Sequence, residues 1–575
     1  MASNPRSVIG TAARYLVYVT VGLVFLEVVD FRTYVPLGSL VIVATGALTI
    51  ATVFQYVDPD GEPGTDRAST HQPSTQVVAV TMFVLVVAGG FLRVYALGTQ
   101  SLWFDEAIST NAAIALLQEG EPTFPSGSTY WRAFPHTLAM VASMAVLGTG
   151  EAAARAPSVI FGVATIGVTY WLGREVGGRR VGLLAAAFVA FATWEIAWSR
   201  QARMYQLFQL LYVLTLVLLL RVERTWFEDR RAVVALVLVG ALAAATHQIG
   251  YVLLPVAVAY IGLAGFVDGH LSRRGTTGLL VGTLLLVPVI EFGTGGVSYA
   301  LESGVDPDFS YWDSYVEWLI DELHGVVLLG IVGMAVTYYR GWYRSGTLLV
   351  FAVVPPVWIL SFQTELFATR YLYFGLPILF VWTAVSVDYV AVVATEQWES
   401  FGSRVHRSER PVSRADGGAG ATCRTCLVAV CMVGLLMLGG GFTVAPQAEY
   451  NLGANAPQPD FGGAYEYVNE NRESGDVIVA GWTAPGVYYA DGVDYWLAHD
   501  LTGTGANWTT NGGERYAGAE PVETTAELDD VMNEHDRGWI VVDEIALARQ
   551  PTELQSELEA MPSYRSDSVY VFYWG

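Results

Sequence analysis

The chain contains no lysine. All 31 of its basic residues are arginine, set against 54 acidic ones, for a formal net charge of −23 over 575 residues. That balance argues against a nucleic-acid partner, which would require basic patches. Acidic excess without lysine suits a salt-rich habitat, where hydrated carboxylates keep a surface soluble. Cysteine occurs three times, at Cys423, Cys426 and Cys431, all at the head of one apolar segment. No disulfide framework therefore holds the region beyond residue 446 together, and the lone CRTC reads as packing. Charge of either sign is scarce, at 15%, while 53% of residues are hydrophobic and the mean hydropathy is +0.41. Apolar residues grouped in long blocks at this level point to a polytopic helical membrane protein. Also missing are internal repeats, a GxGxxG or P-loop, an HExxH, and a small-residue cleavage site, so the first apolar segment reads as an uncleaved anchor.

Apolar segments lie near 14–30, 37–57, 75–97, 156–175, 181–198, 204–222, 232–246, 250–267, 276–293, 323–339, 346–362, 371–394 and 425–445. Arginines cluster in GREVGGRR (173–180), RVERTWFEDRR (221–231), LSRR (271–274), YRGWYR (339–344) and the stretch 395–424. If these five loops are cytoplasmic, the segments between them alternate in direction under the positive-inside rule. The expected topology is 13 spans, with the N-terminus inside and the C-terminus outside. Residues 98–155 then form one external loop, and PHTLAMVASMAVLG (135–148) lies along the interface rather than crossing. Residues 1–74 read as an additional hairpin with a cytoplasmic loop and 75–445 as the main membrane domain. Residues 446–575 read as an extracellular domain with 23 acidic residues against 5 arginines. In that last part GDVIVAG, RGWIVVDE and SVYVFYW read as strands, and GGAYEYVNENR and TTAELDDVMNEH as helices, which predicts a small α/β domain. Asn507-Trp508-Thr509 is a glycosylation sequon on that side.

Where the third apolar segment surfaces, SLWFDEAIST (101–110) sets Asp105 and Glu106 side by side. The plain reading is a helix start, with Ser101 or Asp105 as cap and acids in the first turn. Several arginines, Arg93, Arg132, Arg155, Arg200, Arg203 and Arg370 among them, fall on the same face. At headgroup depth an arginine either snorkels or meets an anion.

WFDEA, then Pro135-His136, EAAARAPSVIFG (151–162), SRQARMY (199–205), ATHQIGY (245–251) and TRYLYFGLP (369–377) occur in an order that resembles the GT-C membrane glycosyltransferases. The nearest branch is the protein O-mannosyltransferase and lipid A aminoarabinose transferase superfamily, in its archaeal form. The resemblance covers roughly residues 75–395. Two departures stand out: FPHTL replaces the His-Pro-Pro-Leu-Tyr run of many relatives, so His136 is not equated with that histidine, and the 14–57 hairpin precedes the usual first span.

The resemblance implies a mostly α membrane fold with about 13 helices plus the C-terminal α/β domain. It also implies transfer of one hexose, mannose favoured, from a polyprenyl (dolichyl) phosphate carrier to a glycan or glycoprotein acceptor outside the cell. Such chemistry needs a carboxylate to take the acceptor's proton, negative charge beside an oxocarbenium-like centre, and arginine or phenol donors for the leaving phosphate. Asp105 aligns with the family's catalytic aspartate, and Glu106 positions the acceptor or the base. Arg155, Arg203 and Arg370, supported by Tyr205 and Tyr371, are candidates for the phosphate, with His136 and His247 as further candidates. No cofactor is assigned; a divalent metal at Asp105, Glu106 and a histidine, as in oligosaccharyltransferases, is an alternative resting on a thin ligand set. Competing readings are en bloc glycan transfer to asparagine, for which no WWDYG-like motif is found, and a lipid-linked sugar flippase, which would place charges near the midplane.

Overall fold

The computed structural model describes residues 72–279, 281–282, 311–362, 368–405, 441–450, 458–498 and 508–575. The expected hairpin at 14–57, most of segments 276–293 and 425–445, the loop from 294 to 310, the three cysteines and Asn507 lie outside the described residues. Among the described residues the membrane part runs through twelve helices: Thr75–Val94 (α1), Phe104–Glu119 (α2), Phe134–Leu147 (α3), Glu151–Gly177 (α4), Arg179–Phe191 (α5), Thr193–Ser199 (α6), Tyr205–Thr225 (α7), Arg230–Thr246 (α8), Leu253–Val267 (α9), Trp312–Tyr339 (α10), Tyr343–Phe362 (α11) and Leu376–Val405 (α12). Among the described residues six helical stretches are long and apolar enough to cross a membrane: 75–94, 151–177, 205–225, 248–267, 312–339 and 369–394. The helix α3, at 14 residues, is about 21 Å long and falls short of the roughly 30 Å hydrocarbon core.

Small residues let these helices touch backbone to backbone. A Cβ on Gly182 would lie 2.6 Å from the Tyr170 carbonyl, where α5 crosses α4, and one on Gly333 would collide with the Trp382 carbonyl, where α10 meets α12. Around these crossings Trp194, Trp198, Tyr212, Phe188, Phe374 and Phe380 are wholly buried. Arg93, placed by sequence among the headgroup-depth arginines, is instead interior. It is fully buried, and it donates to the Ser199 hydroxyl at 2.9 Å and to the carbonyls of Gly89, Ala190 and Val189 at 2.8–3.1 Å. Capping the open carbonyls at the end of α5 is what makes its burial tolerable.

The C-terminal part is a six-stranded sheet in the order β5-β2-β1-β6-β8-β7. Its strands are Val477–Ala480 (β1), Tyr495–Leu497 (β2), Glu520–Val522 (β5), Gly538–Asp543 (β6), Ser563–Ser566 (β7) and Val569–Trp574 (β8), with a two-stranded ribbon of Thr509–Thr510 (β3) and Gly513–Glu514 (β4). The runs VIVA and GWIVVD are buried on both faces, as parallel inner strands require. They pair in register from Val477↔Gly538 to Ala480↔Val541. β8 returns antiparallel to β6, and β7 pairs antiparallel beyond it at the edge. Phe461–Asn471 (α13) and Thr483–Tyr489 (α14) face the membrane part. Tyr489 accepts from the Leu102 amide at 2.7 Å and donates to Glu151 at 3.1 Å, Asn111 donates to the Ala484 carbonyl at 2.9 Å, and Ser101 donates to Asp460 at 2.5 Å. The sheet region is thereby seated on α2.

From below, α2 is held by a buried ion pair. Arg155 of α4 meets Glu106 with two parallel bonds, Nε to Oε1 at 2.8 Å and Nη2 to Oε2 at 2.7 Å. The same guanidinium donates to the carbonyls of Leu97, Gln100 and Ser101 at 2.8–3.1 Å. Glu106 also accepts from the Ala202 amide at 2.6 Å. Both side chains are at most 4% exposed. Removing one partner of such a pair strands a buried charge, at a cost of about 3–5 kcal/mol. Glu106→Gln is therefore expected to lower the thermal midpoint and the yield of folded protein in detergent, read by fluorescence-detected size exclusion; unchanged behaviour would contradict the clamp.

Candidate active site

The helix α2 begins at Phe104 without any side-chain cap. Asp105 and Glu106 stand in its first turn, where the helix dipole favours them, yet neither carboxylate caps the helix. Ser101, the other expected cap, is turned to Asp460. Glu106 points down into the clamp. Asp105, with 18% of its side chain exposed, points into the space between α2, the turn 200–204 and the 3₁₀ segment Thr369–Gly375.

Two arginines face it there. Arg203 Nη2 lies 3.3 Å and Arg370 Nη2 3.7 Å from Asp105 Oδ2. Arg203 also donates to the Asp105 carbonyl and to Ser109 Oγ, each at 2.9 Å, which fixes the guanidinium against the first turn of α2. Burial would raise the Asp105 carboxyl, but the charges of Arg203, Arg370 and Arg132 outweigh it and hold the group below the usual carboxylate range. Asp105 is thus ionised, stabilised by cations with which it does not form a tight bidentate pair.

Each arginine is placed by its own local structure. After α6 the chain turns at 200–204, and Arg200 locks that turn by donating to the carbonyls of Arg93 and Ala96 at 3.3 Å and Ala448 at 2.8 Å. The chain re-enters as α7 at Tyr205, two residues after Arg203. On the other side, Gln209 donates to the Tyr373 carbonyl at 2.8 Å, and the Tyr373 hydroxyl lies against Glu195 at 2.9 Å and Gln206 at 2.5 Å. This polar knot pins the 3₁₀ segment. Arg370 then extends across the Trp103 ring, 5.7 Å from its centroid, and donates to the Tyr205 hydroxyl at 3.1 Å.

Tyr205, Tyr371 and His247 close the pocket wall, with ring centroids 5.6–6.4 Å apart. His247 stacks on Phe208 at 4.9 Å. Its Nδ1 accepts from the Ile249 amide at 3.3 Å, which requires a neutral ring with the proton on Nε2. That Nε2 is buried and has no partner among the described residues.

Of the residues singled out from sequence, Asp105, Arg203, Tyr205, Arg370, Tyr371 and His247 converge. Arg155 and Glu106 do not. All five Arg155 N–H groups are engaged within the chain, so Arg155 has no donor to offer a phosphate, and Glu106 is shut away from any acceptor. Both are supports of α2. His136 stands behind the wall, Nε2 at 3.2 Å from Ser158, whose hydroxyl reaches the Arg203 carbonyl at 3.4 Å. Burial beside Arg203 pushes its imidazole down to about 3, so it is neutral at working pH.

Sequence reasoning set Arg132 on this face but not among the site residues. Its side chain is exposed and meets no carboxylate among the described residues, while its charge is felt at both Asp105 and His247. Ala133, in the left-handed region at φ 54°, turns the chain there into α3. The available signal was an arginine two residues ahead of a proline-led helix start. Among the described residues no group of three or more His, Cys, Asp or Glu side chains is arranged to hold a metal.

Residues 134–292 match the family described as dolichyl-phosphate-mannose-protein mannosyltransferase. No curated protein matches the chain in sequence. Among solved structures, ArnT from Cupriavidus metallidurans in the apo state aligns with a TM-score of 0.53 at 14% identity, covering 87% of this chain and 98% of that one. The Archaeoglobus fulgidus oligosaccharyltransferase tethered to an acceptor peptide containing the NVT sequon aligns at 0.52 and 12% identity, covering 87% and 74%. The AglB structure from the same organism, in complex with an inhibitory peptide and a dolichol-phosphate, aligns at 0.50 and 13%, covering 86% and 74%. At these identities the likeness is one of architecture: the chain is a membrane protein with the GT-C fold, and its segment 134–292 bears the signature of the mannosyltransferase family.

Proposed function

We propose that the chain is a glycosyltransferase that moves one hexose, mannose favoured, from a polyprenyl (dolichyl) phosphate carrier to a hydroxyl acceptor on the extracellular face, with inversion. The observation that carries this reading is a single carboxylate, Asp105, facing donors that among the described residues meet no other anion: Arg132, Arg203, Arg370 and the Nε2–H of His247. Such a set suits a phosphate ester better than it suits any group the chain itself supplies. The ArnT structure bound to undecaprenyl phosphate and the AglB complex with dolichol-phosphate make a lipid phosphate the natural occupant.

In this mechanism the acceptor hydroxyl oxygen attacks the anomeric carbon, forming the new glycosidic bond. Its proton passes to Asp105. The bond from the anomeric carbon to the phosphate oxygen breaks, and the electron pair leaves on the phosphate, held by the arginines and the phenols of Tyr205 and Tyr371. One displacement inverts the centre. The arginines have two tasks that occur in sequence. Before the donor arrives they keep Asp105 ionised but weak as a base. Once the phosphate shares them, their hold on Asp105 relaxes and its basicity rises.

Two outcomes follow. Asp105→Asn is expected to reduce sugar transfer from radiolabelled dolichyl-phosphate mannose by about 10²–10⁴-fold, with folding and donor binding retained; transfer at the wild-type rate would remove Asp105 as base. Rate is lost as pH falls through the base's pKa, so the acid limb of kcat/KM should lie below the ordinary carboxylate range. The limb of kcat, which reports the donor-loaded enzyme, should lie higher. Arg203→Gln should move the kcat/KM limb upward, whereas identical limbs in both proteins would argue against the shared-arginine mechanism.

A further inference from the structure

Asp105 has a second neighbourhood, made of aromatic rings, which meets Arg132 and Arg203 at Tyr130. Phe104, the residue before it, meets three rings of the C-terminal region: Trp482 at 4.4 Å, Trp508 at 5.9 Å with planes 27° apart, and Tyr516 at 5.8 Å edge-on. Tyr516 packs in turn on Phe124 at 5.1 Å, and Phe124 on Tyr130 at 6.0 Å. Only Phe124 is buried; Phe104, Tyr130, Trp482, Trp508 and Tyr516 all keep part of their surface in solvent. The Tyr516 hydroxyl lies within electrostatic reach of Asp105 and Tyr130.

The rings are held in place. Trp508 and Tyr516 flank the β3–β4 ribbon. The Ser128 hydroxyl donates to the Arg515 carbonyl at 2.6 Å, and Ser126 donates to the same oxygen. Buried Glu514 accepts from the amides of Tyr516 and Ala517 at 2.9 and 2.8 Å. Trp482 is fixed by its indole N–H to Asp543 at 2.9 Å. The external loop and the sheet region therefore build one aromatic wall jointly, and it ends at the base.

We infer that this wall is the acceptor subsite and that the acceptor is a saccharide, so that the new bond joins sugar to sugar rather than sugar to a serine or threonine of a bare peptide. This rests on the transferase reading above and specifies its acceptor. Three physical points favour a glycan. Half-exposed tryptophan and tyrosine rings offer apolar faces to the C–H faces of a pyranose while their polar edges stay wet. Rigid rings lose little entropy on binding, which matters for a ligand that gains little from each contact. The region that supplies them has 23 acidic residues against 5 arginines, a field that repels an acidic polypeptide but leaves a neutral glycan unaffected. The step balances as before: the glycan hydroxyl gives its proton to Asp105, the bond to the anomeric carbon forms, and the phosphate departs with the electron pair.

The test uses the full chain in two measurements. Calorimetric titration with glycans released from the host's own membrane glycoproteins is expected to show binding by the wild type. Trp508→Ala and Tyr516→Ala should weaken it at least tenfold, while Trp508→Phe, which keeps a ring, should stay within about threefold. Binding that is absent, or equal in all four proteins, overturns the inference. In the second, label is transferred from dolichyl-phosphate mannose to membrane glycoprotein and the product is cleaved by reductive β-elimination with linkage analysis. Label in a sugar–sugar bond supports the saccharide acceptor; label released only as mannitol, from serine or threonine, overturns it while leaving the transferase standing. Glycan binding without transfer from any polyprenyl-phosphate sugar would instead defeat the transferase reading and keep the glycan subsite.

Discussion

The buried pair between Glu106 and Arg155 is the constraint on which the candidate site depends. Two charges taken out of water are costly, and here the cost is met by completeness: five guanidinium N–H groups and both carboxylate oxygens have partners at hydrogen-bond distance. Three of those partners are carbonyls of the segment 97–101, which leads into α2. The fourth anchor, the Ala202 amide, belongs to the turn that carries Arg203. One ion pair thus fixes, relative to each other, the residue that offers the carboxylate and the residue that opposes it. A slip of α2 by one residue would break every one of these bonds at once, so the position of Asp105 is specified by geometry rather than by its own interactions.

The same economy of roles explains why Asp105 is free to act. Adjacent in sequence, the two acids point about 100° apart around the helix. One is wholly saturated inside; the other faces a pocket in which its cationic partners stand at 3.3 and 3.7 Å, close enough to ionise it and loose enough to be shared. A dipeptide of like charges at a helix start thus divides into a buried support and a pocket-facing carboxylate without needing different residue types.

Much of this was legible in the sequence. The strands VIVA, GWIVVD and VYVFYW and the helices around 461–471 and 525–534 stand where alternation and turn residues predict them, because short apolar runs bounded by glycine, aspartate and asparagine have few other solutions. Asp105, Arg203, Tyr205, Arg370, Tyr371 and His247 come together as their shared face suggested. What sequence could not separate is arginine from arginine. Arg93, Arg155 and Arg200 resemble Arg132, Arg203 and Arg370 in type and in nearness to a span end, yet the first three close off backbone carbonyls inside the protein and the second three face the pocket. The difference is set by which carbonyls the crossing helices leave open, a property of packing that no local pattern encodes. The knot of Glu195, Gln206, Gln209 and Tyr373 was invisible for the same reason: its members come from three separate elements. Short helices such as α5, at 13 residues, also show why apolar run length overstates the length of regular helix.

The seating of the sheet region on α2 gives the molecule an evolutionary property as well as a shape. Asn111, less than two helical turns beyond Asp105, holds Ala484, while Asp105 on the same helix faces the pocket. A region attached through a flexible tether can be exchanged between relatives as a cassette, and new specificities then arise by recombination. A region bolted to the helix that carries Asp105 cannot be: a foreign replacement would have to match the contacts of Ser101, Leu102, Asn111 and Glu151 before it could recognise anything. Diversity in lineages of this architecture should therefore accumulate by drift on the ribbon and on the loop before α3, with the seat itself inherited unchanged.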